Sequence, residues 1–237
     1  MYDKIVLTDF CHTIVDYPTC DNFVRYVEKR LNHKSWHMML NELLRRLLRK
    51  TRGMSILQRM TKNYMINKVL YLRQLKGIDQ KELERLGHDY YLEQLRPHLI
   101  PEVTEYLINL CHEGYKIFVV SSAYDAYVKD LNMDLPIEGI LCTELEYDDG
   151  KFTGRYIGRD CFGREKYNRV RRLFNLETLK EKNSIGLSDE LADYPFLDMC
   201  EKSFIVINKG SRIPSWIGGK GYGIIEFSQN GGGICMD

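Results

Sequence analysis

Several features that would place this chain in large protein classes are missing from it. No apolar run approaches the roughly 20 residues that a membrane-crossing helix needs, and Met1 to Asp9 lacks the long apolar stretch of a secretory leader. The expectation is therefore a cytoplasmic protein with no membrane partner. The seven cysteines, Cys11, Cys20, Cys111, Cys142, Cys161, Cys200 and Cys235, are odd in number and scattered. They form no CxxC pair, which argues against a zinc site or a disulfide framework and makes most of them buried thiols. There is no repeat and no low-complexity tract. The glycine-rich tail, GGKGYG and NGGG, is followed by no GK[ST], so it reads as loop and chain end and not as a phosphate cradle. Of the six histidines, only His12 falls in a motif, and the others show no ligand spacing.

What is present is ordinary for a globular α/β chain. The 237 residues, 44% hydrophobic and 28% charged, suit one α/β domain carrying a sizeable insertion, or two small domains folded as one unit. Net charge is only +1, but residues 20–96 hold 17 Lys and Arg against 8 Asp and Glu, while the remainder holds 17 against 25. Either solvated helix faces or attraction of an anionic substrate to an acidic metal site accounts for that basic middle. Basic helices alone do not imply nucleic-acid binding, since no reader motif or interleaved aromatic platform accompanies them.

Hydrophobic periodicity organises the rest. KIVLT, residues 4–8, reads as a buried parallel strand whose carboxyl end delivers Asp9. Residues 21–95 then turn helical, with Phe23, Val27 and Leu31 at helical spacing, and likewise Trp36, Met39, Leu40, Leu43, Leu44, Leu47 and Leu48. Further helices are expected near Ile56 to Leu75 and Lys81 to Leu95, with breaks at Gly53, Gly77 and Pro97. Alternation resumes with a helix over Val103 to Cys111, the strand KIFVV ending just before Ser121 and Ser122, and a helix around Ala126 to Asn132. GILCTELEY, a turn at Asp148 to Gly150, a helix over Lys166 to Phe174, a strand near Ser184 to Gly186 and the strand FIVIN follow. The pattern predicts a Rossmann-like, doubly wound, mostly parallel sheet in an α/β core (1–16 and 97–237), with an all-helical cap inserted at 17–96.

Four segments placed after strands or at a helix start contribute Asp9, Ser121, Lys166 and the pair Asp189 and Asp193. Parallel strands bring their carboxyl ends together, so these distant residues can share one crevice. Taken singly, each has a bland reading: a loop Asp, a helix-capping Ser, a solvated Lys. Taken together they are what phosphoryl transfer needs. A carboxylate can attack phosphorus, a hydroxyl and an ammonium can hold its oxygens, and further carboxylates can bind a divalent cation.

In these motifs the sequence resembles the haloacid dehalogenase superfamily, in its phosphoserine phosphatase-like branch with a helical cap. The family's D-x-D-G-T stands here as DFCHT, residues 9–13, its strand ending in Ser as FVVSSAY, and its helix-opening Lys as GREKYNRV. TELEYDDGKFTGRYIGRD precedes that helix, and the acidic loop is SDELADYPFL. The resemblance spans Ile5 to about Phe227. It implies that Asp9 is the nucleophile and a Mg2+ ligand, with Asp189 a second ligand and Asp193 binding a metal water or pairing with Lys166. Ser121, with Ser122 beside it, would bind the phosphoryl group. Lys166 would offset charge on Asp9 and the phosphate, Cys11 would give the metal its backbone carbonyl, and Thr13 would brace the loop at the substrate-binding end.

The pattern departs at Cys11, which replaces the carboxylate that protonates the leaving oxygen and later activates water. A thiol titrates near about 8.5 against about 3.9 for Asp, so it can donate a proton at neutral pH but mimics a carboxylate base poorly. His12, in the usual glycine position, has a better-matched pKa of about 6.5, though its place can aim it away from the crevice. The expected function is a magnesium-dependent phosphatase acting on a small phosphorylated metabolite, with a catalytically impaired phosphate-binding or partner-binding protein as the alternative. A phosphonatase would need a cap lysine, for which Lys34, Lys50, Lys62 and Lys68 are candidates. Substrate identity and oligomeric state are left open by the sequence.

Overall fold

The computed structural model describes residues 2–31, 66–174, 179–180 and 183–228. Its strands are β1 (Ile5–Thr8), β2 (Lys116–Tyr124), β3 (Ile137–Thr143), β4 (Leu145–Asp148), β5 (Lys151–Tyr156), β6 (Ser184–Ser188), β7 (Lys202–Asn208) and β8 (Gly223–Phe227). Six of them form one sheet in the order β3-β2-β1-β6-β7-β8, and every neighbouring pair is parallel. The α-helices with described bounds are α1 (Thr19–Leu31), α2 (Ile66–Leu72), α3 (Gln80–Tyr90), α4 (Pro101–His112), α5 (Asp125–Val128), α6 (Arg164–Leu173) and α7 (Tyr194–Leu197).

A parallel sheet needs cover on both faces, and β1 shows how its sequence obtains it. Successive side chains point to opposite faces. Val6 joins one apolar cluster, with Val119, Leu187 and Val206, while Ile5 and Leu7 join the other, with Val120, Phe196 and Ile205. The first cluster also takes in Phe23, Val24 and Val27 of α1, Leu72 of α2 and Leu83 and Leu86 of α3, so the inserted helices share a core with the sheet. Burying each such side chain contributes about 1.5–3 kcal/mol. Gly87 of α3 is what lets that helix come close: a Cβ there would lie 2.1 Å from the Ala126 carbonyl oxygen.

β4 and β5 form a separate antiparallel hairpin. Its turn residues, Asp149 and Gly150, both have positive φ (45° and 70°), the conformation that a tight two-residue hairpin turn requires. The hairpin is stitched to the inserted segment by Gly77 N–H to the Phe152 carbonyl (2.8 Å) and Phe152 N–H to the Ile78 carbonyl (2.9 Å).

Three expectations change. Ser121 and Ser122 lie within β2, which continues to Tyr124 across a register irregularity against β3. The helix expected around Ala126 to Asn132 is four residues of α-helix followed by a 3-10 segment, Lys129–Met133, since the chain must straighten at Leu135 ahead of Pro136. A strand that was not expected, β8, begins at the last glycine of the GGKGYG run. This edge strand is only half-buried, and it begins at a glycine where a Cβ would lie 2.5 Å from the Phe204 ring, so apolar alternation is weak there and glycine content misleads. The helical pattern from Trp36 to Leu48, part of that from Ile56, and the NGGG tail lie outside the described residues. Among the described residues no helix is long and apolar enough to cross a membrane.

Candidate active site

Asp9 follows β1 directly and is nearly buried, its N–H donating to the Leu187 carbonyl of β6 at 2.9 Å. The chain then folds back in a tight loop in which Ile14 and Val15 N–H both donate to the Phe10 carbonyl, at 2.9 and 3.0 Å. His12 takes the left-handed conformation in this loop, with φ at 55°, a position that favours glycine and strains other residues. Its ring is half-exposed, with Nδ1 3.6 Å from Asp16 Oδ1.

Lys166 lies in the first turn of α6, after Gly163, whose φ of 52° lets the chain enter the helix. Its ammonium is 2% exposed and donates to Asp9 Oδ1 at 2.7 Å and Asp193 Oδ2 at 2.6 Å. Ser188, the last residue of β6, donates to the same Asp193 oxygen at 2.7 Å. Thr13 is fully buried and donates to Asp189 Oδ1 at 3.2 Å. Asp9, Lys166, Asp193, Asp189 and Thr13 are thus linked by direct bonds or by neighbouring positions at the carboxyl ends of β1 and β6.

The electrostatics of this cluster are unbalanced. Burial opposes the Lys166 charge, but the adjacent Asp9 and Asp193 carboxylates hold it well above the ordinary lysine range. Burial and then the nearby Asp9 carboxylate push Asp189 up to about 7. Burial also raises Asp193 to about 7, against the opposing pull of Lys166. Asp193 Oδ1 is buried with no hydrogen-bond partner. Two carboxylates on one ammonium, with the Asp189 carboxylate nearby, make a site that favours another cation. Among the described residues no three His, Cys, Asp or Glu side chains converge as a ligand cluster. The donors that the family resemblance would offer a cation are two carboxylates, Asp9 and Asp189, and the Cys11 carbonyl. These all-oxygen donors fit a hard cation that keeps several waters. Asp193 is turned to Lys166.

On the β2 side, Ser121 is 1% exposed and its Oγ accepts from Ala123 N–H at 3.3 Å. Ser122 is partly buried, and its carbonyl accepts from Lys68 Nζ at 2.6 Å and from Cys20 Sγ at 3.5 Å. Cys11 Sγ lies 2.8 Å from Thr19 Oγ1, which also accepts from the Tyr127 hydroxyl at 3.0 Å. Desolvation, then the neighbouring Cys20 and Asp9, push the Cys11 thiol far above its usual range. It is a neutral thiol at physiological pH.

Several of these neighbours were not singled out from the sequence. Ser188 stands immediately before Asp189 in SDELAD, and Thr19 and Cys20 open the helix after the first motif, so position alone pointed to them. Lys68 stood out only as one of four candidate cap lysines, and Asp160 carried no signal. They meet across 92 residues at 2.6 Å. Burial works against the Lys68 charge, but Cys20 and Asp160 outweigh it and keep the ammonium protonated. That pairing does not suit the free amine a cap-lysine Schiff base requires. Lys34, Lys50 and Lys62 lie outside the described residues.

The family model for haloacid dehalogenase-like hydrolases matches residues 6–198, a span running from β1 to the acidic loop. The chain belongs to that family. It is 27% identical over 153 residues to the phosphoserine phosphatase SerB1 of Mycobacterium tuberculosis, a match covering 65% of this chain and 49% of that protein. The chain therefore spans about half the length of that relative. Among solved structures, a protein of unknown function from Bordetella pertussis Tohama I superposes with a TM-score of 0.73 at 16% identity, covering 95% of this chain and 99% of the other. A substrate-bound phosphoserine phosphatase complex superposes with a TM-score of 0.57 at 16% identity, covering 87% of each chain. At these identities the superpositions establish the fold, which is the α/β sheet with flanking helices already described.

Proposed function

We propose that this hydrolase is a magnesium-dependent phosphatase of a small phosphorylated metabolite, working in the cytoplasm through an aspartyl-phosphate on Asp9. In this reading residues 17–96 act as a cap domain over a core of 1–16 and 97–237. The observation that carries it is Lys166 bonded at once to Asp9 and Asp193, at 2.7 and 2.6 Å. An ammonium on Asp9 Oδ1 leaves Oδ2 as the attacking oxygen. As the Asp9–phosphorus bond forms, the bond from phosphorus to the ester oxygen breaks, and that oxygen leaves as an anion that solvent water protonates afterwards. Ser121 donates to the phosphoryl oxygens, and Lys166 offsets their charge. Water then cleaves the acyl phosphate and frees Asp9. Magnesium held by Asp9, Asp189 and the Cys11 carbonyl would supply the remaining charge neutralisation. The family's acid and base position is a neutral, desolvated thiol here, so leaving groups that depart without protonation suit this site best.

The test is phosphate release from an aryl phosphate in magnesium by the wild type and by Asp9→Asn, with both shown to be folded. Release by the wild type and none by the variant is expected. Equal rates would remove Asp9 as nucleophile and the proposal with it.

A further inference from the structure

Lys68 is 6% exposed in a segment that the sequence marks only as a basic helix. Beyond the 2.6 Å contacts with Asp160 Oδ1 and the Ser122 carbonyl, its ammonium lies 4.9 Å from the centre of the Tyr124 ring. Asp160 is fixed in turn: Thr143, the last residue of β3, donates to the same Oδ1 at 2.6 Å. A lysine from the inserted segment is thus clamped between the ends of β2 and β3, one residue from Ser121.

The consequence follows from the planarity of one peptide. In a trans peptide the carbonyl of Ser122 and the N–H of Ala123 point in opposite directions. Lys68 holds the carbonyl, so the N–H is turned the other way, and there it donates to Ser121 Oγ at 3.3 Å. A hydroxyl has one proton to give and two lone pairs. Once the Ala123 N–H occupies a lone pair, the Ser121 proton is left for a different acceptor. We propose that Lys68 is a positioning residue: through the Ser122–Ala123 peptide it orients the Ser121 hydroxyl as a donor to a phosphoryl oxygen. Asp160 keeps the ammonium charged and in place. The inserted segment thereby acts on phosphate binding without touching phosphate.

This inference rests on Ser121 binding the phosphoryl group, as in the phosphatase reading. Its test therefore measures binding of inorganic phosphate in magnesium by titration calorimetry, alongside turnover of an aryl phosphate. Four proteins are compared: wild type, Ser121→Ala, the pair variant Lys68→Met/Asp160→Asn, and the pair variant combined with Ser121→Ala. Removing both charges together leaves no lone carboxylate buried. Ser121→Ala and the pair variant are each expected to weaken phosphate binding by ~10-fold, the scale of one hydrogen bond to a charged group. In the Ser121→Ala background the pair substitution should cost no more than ~2-fold, because both changes remove the same bond. Losses that multiply in the combined protein, or a pair variant that binds phosphate like wild type, would overturn the proposal. So would a wild type that binds no phosphate. If the pair variant fails to fold, Lys68→Gln enters the same cycle and must show the same non-additivity. Coupled phosphate binding without ester hydrolysis would sink the phosphatase reading alone. Turnover with unchanged phosphate binding in the pair variant would sink this inference alone.

Discussion

Two buried lysines occupy neighbouring ends of the same sheet, and their surroundings differ in charge balance. Lys68 faces one carboxylate, a carbonyl oxygen and a ring, so its cluster is neutral as it stands. Lys166 faces two carboxylates, with Asp189 beside them. Each cluster leaves one buried carboxylate oxygen unpartnered, Asp160 Oδ2 in the first and Asp193 Oδ1 in the second. The neutral cluster sets backbone geometry. In the other, burial, with the nearby Asp9 carboxylate adding to it, raises Asp189 and Asp193 to about 7, and a proton or a cation relieves the cost. Burial of a lysine therefore does not by itself mark a catalytic group; uncompensated charge around it does.

That contrast can be sharpened most at Cys11, which borders both clusters. Cys11→Asp restores a carboxylate beside Asp9, and turnover of alkyl phosphates should rise ~10² to 10⁴-fold, the usual scale of general acid and base catalysis. Aryl phosphates should gain less, because their leaving groups depart as stable anions. The wild type should also accumulate acid-stable phosphoaspartate that the variant clears. A variant that lowers both rates equally, with magnesium affinity kept, would mean that the thiol or His12 already supplies a tuned substitute.

Breaking the unbalanced cluster directly comes next. Lys166→Met should lower kcat for an aryl phosphate by ~10² to 10³-fold, as loss of one preorganised electrostatic stabiliser does. Its magnesium requirement should change little. Asp189→Asn should do the reverse, raising half-saturating magnesium by roughly 10-fold or more because a hard oxygen ligand is lost. A metal titration of both variants separates the roles. An unchanged requirement in Asp189→Asn would show that Asp189 is not a ligand.

The smallest effect is on stability. Asp189 and Asp193 titrate near 7 when folded and near about 3.9 when unfolded, so between those values the folded, metal-free chain binds more protons. Its stability is fully present below the unfolded value and is lost as pH rises through about 7. The thermal midpoint without metal should therefore fall by roughly 5 °C or more from pH 5 to pH 8, and magnesium should flatten that slope. A midpoint that rises over this interval in the absence of metal would contradict the excess of negative charge.

Much of the molecule was legible in the sequence for a simple physical reason. Strands buried on both faces must be continuously apolar, so KIVLT, KIFVV and FIVIN announced the sheet, and strand ends placed Asp9 and Asp189. Asp193 and Lys166 were legible because they sit at fixed offsets from such elements. β8 was not, since an edge strand half in water needs no apolar run. Nor could the sequence distinguish Lys68 from the other lysines of the basic middle. Solvated and buried lysines read alike until a partner is known, and the partner, Asp160, is 92 residues away. By itself, then, the sequence determined the α/β class and the motif residues that parallel strands gather at one edge. Only the tertiary structure decided that Asp193 pairs with Lys166, that Cys11 is a desolvated thiol against Thr19, and that Lys68 grips the peptide behind Ser121. Those facts depend on distances between side chains far apart in the chain, and periodicity carries no information about such distances.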